Sequence, residues 1–121
     1  MLRVILDEHL RGPLSLAIQR HNLLGGLPLD AVCVGDLPDV PLGSDDPHLL
    51  AWAEGQGRIL VTQDKHTMPT YLGNHLKTGH LSPGVLMLRA CFTVRELVEC
   101  LELGTYVGEP AEYANAITHV P

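Results

Sequence analysis

Apolar residues in this chain gather into short runs of four or five, separated by stretches where they recur every three or four positions. Leu2 to Leu6 is the first run and predicts a buried strand ending at the acidic pair Asp7-Glu8. Gly12-Pro13 suits a helix start, and Leu14, Ala17, Ile18 and His21 follow at helical spacing. The segment Leu23 to Leu29, with Gly25-Gly26 and Pro28, breaks that helix before a second strand at Ala31–Val34. Gly35 to Gly43 is rich in Pro, Gly and Asp and predicts an irregular loop. Asp46-Pro47 has the form of an N-cap with proline at the first helical position. Leu49, Leu50, Trp52 and Ala53 supply that helix's buried face, and Gly55 and Gly57 stop it.

Arg58–Thr62 is the clearest strand and runs directly into Gln63-Asp64. Met68, Leu72, His75 and Leu76 carry helical spacing after Thr67, and Pro83-Gly84 turns the chain into the strand Val85–Leu88. Thr93 and Glu96 form a capping box opening a helix that buries Val94, Leu97, Val98 and Leu101 and extends to about Leu103. A helical piece within 110–116 and an edge strand at Ile117–Val120 close the pattern. Strands alternate with helices throughout. The expected fold is therefore one three-layer α/β domain over residues 1–121, with a central, mainly parallel sheet flanked by helices.

Composition narrows the function classes. Hydrophobic residues make up 45% of the 121, enough for a core, and the formal net charge of −6 argues against a broad basic surface for gripping nucleic acid. Aromatics at 4% leave few platforms for stacking bases. The N-terminal run meets Asp7-Glu8 too early for a secretory signal, and no apolar run approaches the ~20 residues that span a bilayer. Cys33, Cys91 and Cys100 form no paired spacing. The expectation is a soluble cytoplasmic protein with reduced thiols and no membrane contact.

The candidate chemistry lies at strand ends, where open α/β sheets bind ligands. Asp7 and Glu8 end the first strand, Asp64 lies just past Arg58–Thr62, and Asp46 opens a helix facing the same edge. Gathered carboxylates repel one another, and Mg²⁺ or Mn²⁺ resolves that conflict by taking oxygen ligands. Simpler roles stand beside this one: Asp46 as a helix cap, Asp64 as a turn residue, Asp7-Glu8 as solvated acids.

With these residues the sequence resembles the PIN-like nuclease domains. Leu6-Asp7-Glu8 looks like that family's opening. Asp46-Pro47-His48-Leu49-Leu50-Ala51-Trp52-Ala53 is similar to its helix bearing the second acid, and Arg58–Asp64 to its strand ending in Thr-x-Asp. Thr67-Met68-Pro69 and Ser82-Pro83-Gly84-Val85 resemble a small bacterial subgroup. The resemblance runs from Leu2 to about Leu88. It implies a metal-dependent ribonuclease, often the toxin of a toxin–antitoxin pair, with Asp7, Asp46 and Asp64 as ligands of Mg²⁺ or Mn²⁺. An RNA substrate, an antitoxin partner and a homodimer belong to the same implication.

Asp45 is a rival for Asp46, though its distance from Trp52 fits less well. Many relatives carry a further acid where this chain has His66. Glu8 and His66 are candidates either to support the metal ligands from behind or to transfer protons, and Arg11, Lys65, Lys77 and Arg89 are the candidate phosphate contacts. A PIN-like binding module regulated by a small partner is the competing reading. Response-regulator receivers share the acidic pair and the strand-end Asp, but the strand after Pro83-Gly84 ends in Leu88-Arg89-Ala90, without the lysine a phosphoacceptor site needs. The seven histidines show no zinc-motif spacing and are expected to be scattered surface residues.

Overall fold

A computed structural model describes residues 2–25 and 27–120. Gly26, part of the expected break after the first helix, lies outside the described residues, as does Met1. The elements alternate as expected: β1 (Arg3–Leu6), α1 (Pro13–Leu23), β2 (Asp30–Cys33), α2 (Asp46–Gln56), β3 (Ile59–Thr62), α3 (Met68–Lys77), β4 (Val85–Leu88), α4 (Val94–Tyr106) and β5 (Ile117–Val120). Short 3₁₀ turns follow β1 at Glu8–Leu10 and precede β5 at Pro110–Glu112; the latter is all that forms of the helical piece expected within 110–116.

The five strands lie in the order β2-β1-β3-β4-β5, and every ladder is parallel. Strands buried on both faces need continuous apolar sequence, which explains the short runs of Val, Ile and Leu. Alternation sends Val4, Leu6, Ile59, Val61, Leu86 and Leu88 to one face, where they meet Leu14 and Ile18 of α1 and Leu97 and Leu101 of α4. Ile5, Leu60, Val85 and Met87 go to the other, against Leu49, Leu50 and Ala53 of α2 and Met68 and Leu72 of α3. Each such side chain, fully buried, contributes roughly 1.5–3 kcal/mol. The result is three layers: α1 and α4, the sheet, then α2 and α3.

Several boundaries differ from expectation for local reasons. Gly55 stays inside α2, and Gly57 alone ends it, in the left-handed conformation at φ 66°. The Thr93 hydroxyl accepts the Glu96 N–H at 3.1 Å, but the Glu96 carboxylate takes Arg89 at 2.7 Å, so the cap is one-sided. Gly84 is required where it stands: at φ +124°, a Cβ there would lie 2.2 Å from the Tyr113 carbonyl oxygen. Among the described residues no helix is long and apolar enough to cross a membrane. The three cysteines are free: Cys33 buried, Cys100 half-buried, Cys91 exposed.

Candidate functional site

The chain leaves β1 for β2 on one side, then crosses to β3 on the other. That reversal opens a crevice beyond the carboxyl ends of β1 and β3, the usual ligand position in such sheets. Asp7 follows β1 directly, and Asp64 stands two residues past β3.

Asp7 is held at both oxygens. Its Oδ1 accepts the Glu8 N–H at 2.7 Å, and its Oδ2 accepts the Thr62 hydroxyl at 3.0 Å. The same Thr62 Oγ1, fully buried, accepts the Asp64 N–H at 3.2 Å. One hydroxyl therefore ties the first acid to the backbone of the last. Asp64 is held by its own turn: Oδ1 accepts the N–H groups of His66 and Thr67 at 3.1 and 3.0 Å, and Oδ2 accepts the Thr67 hydroxyl. These bonds, that of the Thr67 hydroxyl first, keep the Asp64 carboxyl below the usual carboxylate range.

Asp46 is not the helix cap. Asp45 fills that role from extended backbone, accepting the His48 N–H at 2.9 Å, while Asp46 is the first residue inside α2 and Pro47 the second. A cap must stay outside helical geometry to turn its oxygen back on the helix, so of two adjacent acids only one can serve. The Asp46 side chain is thereby left for other work. Burial, then the charges of Asp7, Asp64 and Asp45, push its carboxyl above the ordinary value. Three acids, from two loops and the first turn of α2, thus share one electrostatic neighbourhood. Their donor atoms are not drawn to the 4.8 Å mutual spacing of a closed metal cluster.

The neighbouring residues divide. The Glu8 carboxylate accepts the Gly43 N–H at 3.0 Å, which pins the loop before α2 beside the crevice. His66 is exposed and contributes its backbone N–H to Asp64. Arg11 is committed to the Val34 carbonyl at 2.7 Å and to Asp36 at 3.0 Å. Lys77 does not reach this edge: it ends α3, whose start lies here, so about 13 Å of helix separates it from the crevice. Lys65 and Arg89 do sit together, with Gln63 and His119, around a cleft of about 350 Å³ beyond the ends of β3, β4 and β5. His119 escaped the sequence reading because its place depends on the parallel register Met87↔His119.

A second cluster was also missed. Glu54, His75 and His80 converge from α2, α3 and the loop after α3, so these histidines are not scattered. Their meeting depends on how α2 packs against α3, which local spacing does not encode.

The chain has no significant match among protein-family models, curated proteins or solved structures.

Proposed function

We propose that the chain is a metal-dependent ribonuclease of the PIN-like type, with Asp7, Asp46 and Asp64 as the ligands of Mg²⁺ or Mn²⁺. The observation that carries this reading is the Asp46 carboxyl. It is half-buried, released from capping and destabilised as an anion by Asp7 and Asp64. The donor set consists of carboxylate oxygens at the β1–β3 crevice, chemistry that suits a hard cation. When bound, such an ion supplies charge neutralisation and an acidified water.

The protein's own residues account for the rest. Thr62 orients Asp7 through its hydroxyl. Lys65 and Arg89, the latter shared with Glu96, line the adjacent cleft with His119 and give a phosphodiester backbone two positive side chains in a molecule of net charge −6. His66, exposed beside Asp64, is placed to carry a proton between the site and solvent. On this reading the protein is the toxin of a toxin–antitoxin pair, with a small antitoxin as partner, and it works as a homodimer.

A binding module without catalysis is favoured by a different observation: the Asp64 carboxylate already accepts three hydrogen bonds from its own turn, of about four it can take. The same bonds count against a receiver-type phosphoacceptor, which needs that carboxylate free to attack phosphorus.

Single-turnover cleavage of a mixed RNA pool in Mn²⁺, Mg²⁺ or EDTA tests the proposal. Wild type should cleave with the ions and not with EDTA, and Asp46→Asn should lose on the order of 10²-fold or more in rate. Cleavage that persists in EDTA overturns the metal mechanism. An inert wild type across many RNAs favours the binding module.

A further inference from the structure

We infer that Glu54, His75 and His80 form a second metal site, selective for a borderline ion of the zinc type and separate from the carboxylate crevice. The Glu54 Oε1 atom lies 3.2 Å from His75 Nε2 and 3.1 Å from His80 Nδ1. Two ligands bound at about 2.0–2.1 Å to a tetrahedral zinc stand about 3.3 Å apart, so both edges already have the length the ion requires. All three donor atoms lie within 4.8 Å of one another.

The surroundings hold the donors in place. Glu54 Oε2 accepts the Leu81 N–H at 2.9 Å, which turns Oε1 towards the imidazoles. The His75 side chain is only 7% exposed; its ring stacks on that of exposed His80 with centroids 4.7 Å apart and planes 18° apart, so the His80 ring turns out of the stack for both nitrogens to face one ion. His75 Nε2 also lies 2.9 Å from the Leu81 carbonyl. His75 Nε2 faces two acceptors, Glu54 Oε1 and the Leu81 carbonyl, so it carries the ring proton. Metal binding at Nε2 would shift that proton to Nδ1, giving the other tautomer. Two nitrogens and one oxygen disfavour Mg²⁺ and favour Zn²⁺, Co²⁺ or Ni²⁺, and three protein ligands leave a fourth position open.

The site lies on the far side from the acids. Glu54 stands eight residues into α2 from Asp46, about 12 Å along the axis, and His75 is in the last turn of α3. An ion here would fasten α2 to α3 and to the loop leading into β4.

The test is zinc titration of the tag-free full chain, stripped with chelator, against a chromophoric competitor, with Co²⁺ absorption reporting geometry. Zinc also suits carboxylates, so the crevice is first disabled by Asp64→Asn. That chain should take up one Zn²⁺ and give a tetrahedral cobalt spectrum. Adding His80→Ala or Glu54→Gln should weaken binding at least tenfold while keeping the parent's circular dichroism, since His80 is exposed. Absence of zinc binding by Asp64→Asn, or undiminished binding after both added substitutions, overturns the inference. Because the readout is zinc uptake, it stands or falls independently of nuclease activity.

Discussion

Thr62 donates its hydroxyl proton to Asp7 Oδ2 across 3.0 Å while lying fully buried at the end of β3. A threonine in a strand of aliphatic neighbours pays for burial of its hydroxyl only if that hydroxyl is bonded, and this one is bonded twice. The Thr62–Asp7 contact joins β3 to the loop after β1 and fixes where the first carboxylate points.

Replacing Thr62 by valine keeps the branched shape and removes both bonds. Unfolding in urea should show a loss of about 1–3 kcal/mol, because Asp7 and the Asp64 N–H lose a partner. Stabilisation by Mn²⁺ should fall in the same variant. An unchanged midpoint means that water substitutes for the hydroxyl.

Asp46→Asn should move stability and function in opposite directions. Neutralising this side chain removes like-charge repulsion with Asp7 and Asp64. Without divalent ions the variant should gain about 0.5–2 kcal/mol, the usual yield of relieving a strained site. The Mn²⁺-induced rise in Tm should disappear. A variant less stable than wild type in EDTA contradicts the repulsion argument.

Arg58 is 8% exposed, and its Nη1 donates to the Val4 carbonyl at 3.0 Å and to Asp30 Oδ1 at 2.9 Å. Arg58→Met should cost about 1–2 kcal/mol, because it removes a charged donor from the Val4 carbonyl and one partner of an Asp30 carboxylate that is over a third exposed. Arg3, 3.3 Å from Asp30, limits the loss. The change in urea midpoint checks this, and a loss below that of a surface substitution speaks against it.

Alkaline pH should destabilise the fold. Burial raises the Cys100 thiol, and burial together with the nearby Cys100 and Glu112 raises the Tyr113 phenol. The folded state then keeps protons that the unfolded chain releases, so stability is full below the unfolded values of 9.0 and 10.0 and declines as pH rises past them. Tm measured across that window should fall, and Cys100→Ala should delay the fall. A flat profile contradicts the assignment.

The layered fold was legible because strands buried on both faces must be apolar throughout, as Ile59–Val61 and Val85–Leu88 are. Boundaries slipped where a polar residue is recruited by tertiary contact. Asp30 joins β2 because it pairs with Arg3 and Arg58, and no local pattern announces that. The acids at strand ends were visible as residues, but the choice between Asp45 and Asp46 as cap was not, since both precede Pro47. The meeting of Glu54 with His75 and His80, and that of Lys65 with His119, rests on contacts between distant segments.

The parallel sheet has a consequence for how the chain is made. Val4 pairs with Ala31 and with Ile59, so its two neighbours arrive 31 − 4 = 27 and 59 − 4 = 55 residues later. No hairpin can form early, and loops of that length must close before any ladder is rewarded, which makes folding slow for a chain of this size. On the ribosome, β1 emerges first and waits with an open edge until β3 has been synthesised. Asp7 gains its Thr62 partner only at that moment. The crevice is therefore assembled by the step that completes the centre of the sheet, and a nascent chain short of β3 carries its first acid without the site.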